Sequence, residues 1–149
     1  MEKFDLYIYT DGSYDMSKNI GGYALVIINS QNEEIFREYE KAKDSTSNRM
    51  EYTALIRALE YLEKSNHSGT VLIQSDSQLL VNTYNQWMIS WEKNNWTRSA
   101  GEIKNLDLVK KLFELKPKFP QVKVQWIKAH NGHEWNELVD ELTRKAYQD

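Results

Sequence analysis

The segment FDLYIYTDG, residues 4–12, decides how the rest of the chain is interpreted. From Phe4 to Ile8, strongly apolar side chains occur at every second position, which is typical of a β-strand with one buried face. Asp11 and Gly12 follow this alternation and indicate a turn. We therefore predict a first strand that ends at Asp11.

Two more strands are predicted directly after the first. GGYALVIIN (residues 21–29) is a β-branched run opened by two glycines, and EEIFREYE (residues 33–40) alternates again. The polar SQNE between them is typical of a hairpin connection. The chain therefore starts with a predicted three-stranded antiparallel meander.

From Asn48 the period of the apolar residues changes from two to that of a helix. The apolar residues at helical spacing are Met50, Ala54, Leu55, Ala58, Leu59 and Leu62. This pattern predicts an amphipathic helix of about four turns, which SNHSG ends.

The remaining sequence alternates between strand and helix signals. The predicted elements are a strand in TVLIQSD (70–76), a helix capped by Ser77, a helix that stops before Pro117, a strand in VKVQWI (122–127) and a helix from about Glu134. The order β-β-β-α-β-α-α-β-α implies an α/β (α+β) fold with a five-stranded mixed sheet and helices packed on it.

Composition excludes several classes of protein. The chain has 149 residues, of which 40% are hydrophobic and 28% are charged, so it is long enough for a globular core. It has no cysteine, which removes disulfides, cysteine-based zinc sites and thiol nucleophiles. No apolar run is long enough for a membrane span, so we expect no membrane partner.

The charge distribution leaves the question of a nucleic-acid partner open. The formal net charge of −3 alone argues against nucleic acid. Residues 109–128, however, contain six lysines and one acid, Glu114. An acidic protein can still present a basic face to phosphates, and the same run also fits a solvated lysine-rich helix.

Acidic residues end two of the predicted strands. Asp11 ends the first strand and Asp76 ends the fourth. If these strands are parallel neighbours, both aspartates project at the same edge of the sheet, where ligand sites form. Glu51, in the predicted first turn of the first helix, precedes Leu55 and Ala58 at helical spacing and points toward the sheet.

Asp140 lies beside the apolar stripe of the last helix and can reach the same edge. Two unit charges about 4 Å apart repel by roughly 4 kcal/mol at an effective dielectric near 20, so converging carboxylates require a cation. Mg²⁺ suits a site of carboxylates and phosphate oxygens. Each acid also has a plainer interpretation: a turn dipeptide at Asp11, a capping pair of Asn48 with Glu51, a helix entrance at Asp76 and a solvated side chain at Asp140.

Several motifs together resemble the type 1 ribonucleases H over nearly the whole chain. They occur in the order and approximate spacing of that family: YTDGS (9–13), GGYA (21–24), SNRMEYTALIRAL (47–59), QSDSQLLV (74–81), QWMISW (86–91) and KAHNGHEWNELVDEL (128–142). The resemblance implies a ribonuclease H-like fold and hydrolysis of the RNA strand of an RNA–DNA hybrid, which leaves a 5′-phosphate and a 3′-hydroxyl.

The resemblance also implies roles for individual residues. Asp11, Glu51, Asp76 and Asp140 match the family's metal-binding carboxylates, which hold two Mg²⁺ ions, with Mn²⁺ as a substitute. His130 matches a mobile histidine that transfers protons or helps product release. Glu137 matches an acidic residue near that histidine, with an auxiliary role.

For the hybrid itself, the positions that match the family's contacts are Gly12, Ser13, Thr46, Asn48, Arg49, Met50, Gln78 and Trp87. Thr46 and Arg49 match or flank a pocket for a DNA phosphate. Trp87 lies in a segment around residues 85–104 that resembles the family's protruding basic handle.

The chain departs from the family pattern in two respects. Ser17 and Ser47 replace common asparagines, which puts those substrate contacts in doubt. The handle segment 84–104 holds only three bases, Lys93, Arg98 and Lys104, against two acids. Because phosphate neutralisation dominates the salt dependence of binding, we expect weak hybrid binding with a shallow salt slope.

Three alternatives compete with the ribonuclease H interpretation. They are another nuclease or strand-transfer enzyme of the same fold, a catalytically silent hybrid-binding module, and a zinc hydrolase that uses His130 and His133. A helical zinc pair requires histidines four residues apart, whereas these are three apart, with Asn131-Gly132 as a turn signal between them. Only His67 remains as a further histidine.

The resemblance covers the chain as one unit. We expect a single catalytic domain over residues 1–149 with a handle-like protrusion around 85–104. The chain begins with Met and is too short for an added polymerase or hybrid-binding domain. We therefore expect a free-standing, monomeric, cytoplasmic enzyme.

Overall fold

Five strands form one mixed sheet in the computed structural model, which describes residues 3–148. The strands are β1 (Leu6–Asp15), β2 (Ile20–Asn29), β3 (Glu34–Lys43), β4 (Val71–Ser75) and β5 (Val122–Trp126). Their order in the sheet is β3-β2-β1-β4-β5. The first three pair antiparallel, whereas β4 pairs parallel with both β1 and β5. The predicted meander and mixed sheet are confirmed.

The helices follow the predicted order. They are α1 (Ser47–Lys64), α2 (Gln78–Asn82), α3 (Met88–Lys93), α4 (Leu106–Leu115) and α5 (Glu134–Gln148). A π-helical turn, Thr83–Trp87, joins α2 to α3 into one helical stretch, and a 3₁₀ turn, Lys116–Lys118, follows α4. The wider π turn is a difference from the predicted regular helix, because hydrophobic spacing alone does not distinguish the two. None of the helices within residues 3–148 has both the length and the hydropathy to cross a membrane.

The first strand is longer than predicted. Pairing with β2 continues to Asp15 opposite Ile20, whereas pairing with β4 stops at Thr10 opposite Ser75. Asp11 is therefore not the end of the strand but the first residue beyond its parallel partner. The strand extends because the antiparallel neighbour supplies hydrogen bonds past the point where β4 ends.

The start of α1 also differs from the prediction. Thr46 is the N-cap, since its side-chain oxygen accepts a hydrogen bond from the Arg49 amide at 3.1 Å. Asn48 is therefore inside the helix rather than at its cap, and Glu51 lies beyond the first turn. At α2 the predicted cap is confirmed, because Ser77 Oγ accepts from the Leu80 amide at 3.1 Å.

Helices cover both faces of the sheet. On one face, α1 packs with side chains such as Leu55 and Leu59 against Ile8 and Leu25. On the other face, α5 packs through Val139 and Leu142 against Tyr9, Ala24, Val26 and Ile28. This two-sided burial explains why β2 is a continuous apolar run rather than an alternating one.

A glycine brings α5 close to the sheet. A β-carbon placed on Gly22 would lie 2.1 Å from the backbone oxygen of Thr143. Only a residue without a side chain fits there, so β2 and the C-terminal half of α5 pack backbone to backbone. The position of α5 along the sheet is consequently well defined.

Candidate active site

Three carboxylates meet at the edge of the sheet. Asp11, Glu51 and Asp76 each offer an oxygen, and these oxygens all lie within 4.8 Å of one another. Asp11 comes from β1, Glu51 from α1, and Asp76 directly follows β4. Because β1 and β4 are parallel neighbours, the two aspartates project at one edge, as the strand order requires.

Glu51 reaches this edge because α1 passes close to β1. A β-carbon on Gly12 would lie 2.5 Å from the Glu51 amide nitrogen and 2.5 Å from the Met50 carbonyl carbon. The Gly12 amide also donates a hydrogen bond of 2.9 Å to Asp11 Oδ1. Gly12 therefore both orients Asp11 and allows α1 to bring Glu51 beside it.

Asp11 is buried and Glu51 and Asp76 are half-buried, and the three carboxylates repel one another. Burial, followed by repulsion from Asp76, raises the pKa of Asp11 to about 8, although the Gly12 amide opposes the rise. Burial and repulsion from both aspartates raise the pKa of Glu51 well above its usual range. Burial and repulsion from Asp140 raise the pKa of Asp76, whereas Asn136 and His130 lower it.

The donor set fits a divalent cation. Glu51 Oε1 is buried and has no hydrogen-bond partner among the described residues. An acceptor left without a donor in the interior is costly, and a metal ion would satisfy it. Three carboxylates are hard oxygen ligands of the kind that Mg²⁺ and similar ions prefer. Within residues 3–148, no other group of three acidic, histidine or cysteine side chains has this spacing.

The fourth predicted carboxylate has a different partner. Asp140 lies on α5, near enough to raise the pKa values of Asp11 and Asp76. It is not a member of the three-carboxylate set. Its Oδ2 accepts a hydrogen bond of 2.8 Å from Arg144 Nη1, one helical turn further on.

The two histidines of KAHNGHEWNELVDEL lie in different environments. His130 is exposed, lies in a turn before α5 with a positive φ of 53°, and interacts electrostatically with Asp76. His133 instead packs its ring 5.1 Å from that of Tyr9, and its carbonyl accepts from the Glu137 amide at 2.9 Å. His133 therefore has a structural role directly before α5. Within residues 3–148, no group of side chains with metal-ligand spacing includes His130 or His133.

The structure adds three residues that sequence reasoning missed. Asn136 is 2% exposed, and its side chain lies near enough to Asp76 to lower the pKa of that carboxyl group. Trp126 donates from Nε1 to the Asp76 carbonyl at 3.2 Å. Arg144 pairs with Asp140. The spacing of Asn136 and Arg144, four residues to either side of Asp140 on one helix, was a signal that could have found both.

The residues that were predicted to bind the hybrid differ in exposure. Ser13 follows Gly12 on β1, and its Oγ is buried without a partner among the described residues. Gln78 is exposed at the start of α2, and Asn48 lines a cavity of about 150 Å³ together with Trp91 and Arg98. Asn48 and Gln78 are therefore open to a ligand, whereas the Ser13 hydroxyl is not exposed.

Two of the predicted contacts are restricted by their packing. Met50 is only 4% exposed and packs with Tyr23 and Ala54, which leaves its backbone rather than its side chain for a ligand. Arg49 donates two hydrogen bonds, of 3.0 and 2.8 Å, to Asp107. A phosphate near Thr46 would therefore share the Arg49 guanidinium with a carboxylate.

The tryptophans of the segment 85–104 divide by exposure. Trp87 is 38% exposed on the π-helical turn, with its ring 6.2 Å from that of Trp91. Trp91 and Trp96 pack against the core, and Trp96 meets Phe113 edge to face at 5.4 Å. Trp87 is thus the one of the three whose ring is open to a ligand.

The other predicted positions are exposed. Glu137 follows Asn136 on α5 with its side chain in solvent. Ser17 is exposed and donates from Oγ to Asp15 at 2.6 Å. Ser47 is exposed at the first position of α1 and lines a cavity of about 330 Å³ with Tyr14, Met16 and Thr46.

Comparison with known proteins agrees with this geometry. The sequence model of the RNase H family matches residues 3–148. The ribonuclease H of Francisella philomiragia subsp. philomiragia is 37% identical over 147 residues, which cover 97% of this chain and 92% of that protein.

Solved structures share the fold. The solution structure of the PFV RNase H domain has a TM-score of 0.83 at 22% identity and covers 98% of this chain and 96% of that chain. The crystal structure of LC11-RNase H1 in complex with an RNA/DNA hybrid has a TM-score of 0.72 at 24% identity and covers 96% of each chain. With its carboxylate cluster, its family match and relatives named ribonuclease H, this chain is a nuclease that belongs to the ribonuclease H family.

Proposed function

We propose that the protein is an endoribonuclease that hydrolyses the RNA strand of RNA–DNA hybrids and depends on two divalent metal ions, normally Mg²⁺. The observation that carries the proposal is the cluster of Asp11, Glu51 and Asp76, with a buried Glu51 oxygen that has no partner among the described residues. The hybrid complex of LC11-RNase H1 supports the substrate class. The resemblance of the motifs supports 5′-phosphate and 3′-hydroxyl product ends.

Asp11, Glu51, Asp76 and Asp140 would hold the metal ions. Divalent ions held by these carboxylates would supply the Lewis-acid chemistry of hydrolysis, which activates water and stabilises negative charge on the leaving oxygen. The protein's own contribution is to hold the carboxylates in place. Gly12 orients Asp11 through its amide, and Trp126 donates to the Asp76 carbonyl. Asn136 favours the charged form of the Asp76 carboxylate by lowering its pKa.

His130 is suited to move protons at the edge of the site. Its turn conformation and exposure allow it to approach and leave the reacting phosphate. Histidine is the side chain most often used to accept or donate a proton in catalysis. Glu137, seven residues later on α5, would assist only indirectly.

We assign hybrid binding to the surface around the carboxylates. Gly12, Ser13, Asn48 and Gln78 are positioned to contact the minor groove, where a 2′-hydroxyl distinguishes RNA from DNA. Met50 would contribute through its backbone. Thr46 and Arg49 flank the candidate phosphate pocket, and Trp87 offers an exposed ring for stacking.

Cleavage assays test the proposal directly. Labelled hybrid, double-stranded RNA and DNA are incubated with Mg²⁺ or a chelator, using the wild type and Asp11→Asn. Glu141→Gln, an exposed acid beside Asp140, is the matched control. We expect Mg²⁺-dependent cleavage of the RNA strand of the hybrid, its loss in Asp11→Asn and its retention in Glu141→Gln.

Absence of metal-dependent, hybrid-selective cleavage would overturn the proposal. The product ends are checked on the same fragments, by polymerase extension for the 3′-hydroxyl and by ligation for the 5′-phosphate. We also propose a cytoplasmic monomer, because the cysteine-free sequence is compatible with a reducing compartment. Sedimentation at working concentration checks the oligomeric state.

A further inference from the structure

Arg144 places a positive charge at the edge of the carboxylate cluster. Its Nη1 donates to Asp140 Oδ2 at 2.8 Å, and the side chains are 45% and 25% exposed, respectively. The influence of Arg144 extends further, because the guanidinium also interacts electrostatically with Asp11. Arg144 is thus coupled to two of the four proposed metal ligands.

Packing of α5 fixes this arrangement. Between the two residues, Thr143 meets the sheet at Gly22, so the helix cannot slide along β2. Thr143 Oγ1 also donates to the Asp140 carbonyl at 2.7 Å. Asp140 can therefore exchange one partner for another only by turning its side chain, while the backbone stays in place.

An exchange of Arg144 for a metal ion as the partner of Asp140 would change the electrostatic energy of the carboxylate cluster. Without a metal ion, the carboxylates repel one another, and the guanidinium, which stays charged at every physiological pH, offsets part of that repulsion. With a metal ion, the same guanidinium repels the cation and occupies the Asp140 oxygen. One residue would therefore stabilise the metal-free protein and oppose metal binding.

We propose that Arg144 is the built-in counter-cation of the carboxylate cluster and competes with the divalent metal ion for Asp140. Arg144 is then a positioning residue that lowers the affinity for the ion held beside Asp140. This inference rests on the proposed function, since it assumes that the cluster binds divalent metal. An ordinary helix-surface ion pair, by contrast, would affect stability alone.

Metal binding without nucleic acid tests the proposal. Mg²⁺ and Mn²⁺ affinities are measured by calorimetry on the full chain for wild type, Arg144→Gln and Arg144→Lys. The matched control is Arg57→Gln, which removes an arginine paired with Glu38 and Glu60 instead of the cluster. Melting temperatures are recorded with a chelator present.

We expect Arg144→Gln to bind the metal ion about two- to fivefold more tightly, because an ion pair of this exposure contributes up to about 1 kcal/mol and a tenfold change corresponds to about 1.4 kcal/mol. Its metal-free melting temperature should fall. Arg144→Lys keeps the charge and should resemble the wild type. Arg57→Gln should also lose stability, but with unchanged metal affinity.

Equal or weaker metal binding by Arg144→Gln would overturn the inference, as would a lysine variant that binds as tightly as the glutamine one. Asp11→Asn separates this failure from that of the proposed function. If Asp11→Asn loses metal binding while Arg144→Gln is unchanged, the metal centre stands and the role of Arg144 fails. If Asp11→Asn binds metal like the wild type, both fail.

Discussion

Gly12 lies directly against the backbone of Glu51, so that a β-carbon on the glycine would be 2.5 Å from the Glu51 amide nitrogen. Two residues 39 positions apart, as counted along the sequence, are thereby brought into contact at the metal-binding edge. The contact explains why the residue after Asp11 has no side chain. It also makes the cluster sensitive to a single methyl group.

We predict that Gly12→Ala destabilises the protein by about 1–3 kcal/mol, the usual cost of overpacking a close contact. The alanine pushes α1 away from β1, and Glu51 moves away from the two aspartates. Nuclease activity should fall more steeply than stability, because metal binding needs all three ligands. Thermal denaturation and Mg²⁺ titration of activity measure the two effects, and an active variant of wild-type stability would contradict the close packing.

We predict that Asp76→Asn raises the melting temperature of the metal-free protein, because it removes one of the clustered negative charges. For a chain of this size, each kcal/mol of added stability corresponds to about 2–4 °C. The rise should be larger at pH 9, above the pKa of about 8 for Asp11, where more of the cluster is ionised. Glu141→Gln serves as the control, and a lower melting temperature for Asp76→Asn would count against the clustering.

The raised pKa of Asp11 predicts a pH dependence of stability. A carboxyl group with a pKa of about 8 in the folded state binds a proton that the unfolded chain, with a pKa near 3.8, has already released. The folded metal-free protein should therefore lose stability as pH rises toward 8, by at most about 1.4 kcal/mol per pH unit for one proton. The carboxylates of Glu34, Glu38 and Asp107, whose pKa values are lowered by arginines, act oppositely and only at acidic pH.

Denaturant unfolding between pH 5 and 9, with a chelator or with Mg²⁺, measures this dependence. We expect the slope to disappear with saturating Mg²⁺, since the metal ion replaces the proton, and to flatten in Asp11→Asn. A slope of the opposite sign would show that Asp11 is ionised in the folded protein. A slope that Asp11→Asn leaves intact would assign the bound proton to another group, such as Glu51, whose pKa is also raised.

We predict that Asn136→Ala lowers metal affinity by about 10- to 100-fold, the range seen when residues that orient metal ligands are removed. Loss of the Asn136 amide, which lowers the pKa of Asp76, should also raise that pKa and shift the acidic limb of the pH–rate profile upward. Glu141→Gln, which changes an exposed acid on the same helix, is the control. A variant with wild-type metal affinity and pH profile would reduce Asn136 to a packing residue.

The affinity for a hybrid should depend only weakly on salt. The segment 84–104 carries three bases against two acids, and Arg98 donates hydrogen bonds of 3.1 and 2.8 Å to the carbonyls of Gly101 and Glu102. Few bases are then free to displace counterions from phosphates. Binding of the inactive Asp11→Asn variant to hybrid, measured across salt concentrations, checks this, and a slope of many ion equivalents would contradict it.

Much of the fold follows from local pattern. Strand and helix periods, hairpin turns and the Ser77 cap are each contained in a few consecutive residues, so they were predicted in the right order. The edge position of Asp11 and Asp76 also followed, because it depends only on which strands are neighbours. The sequence did not predict which site residues are buried. Met50 was expected to contact the substrate but is buried, and the buried Asn136 beside Asp76 was not expected.

The sequence by itself was enough for the element order, the mixed sheet and the set of candidate carboxylates, since periodicity and motif spacing are properties of adjacent residues. Only the tertiary structure decided how far β1 extends past Asp11, because the antiparallel pairing with β2 supplies that length. Only the tertiary structure shows that Arg49 pairs with Asp107, 58 positions away, and that Arg144 is the partner of Asp140. Charged side chains have many possible partners in a sequence, and distance and burial in the folded chain select among them.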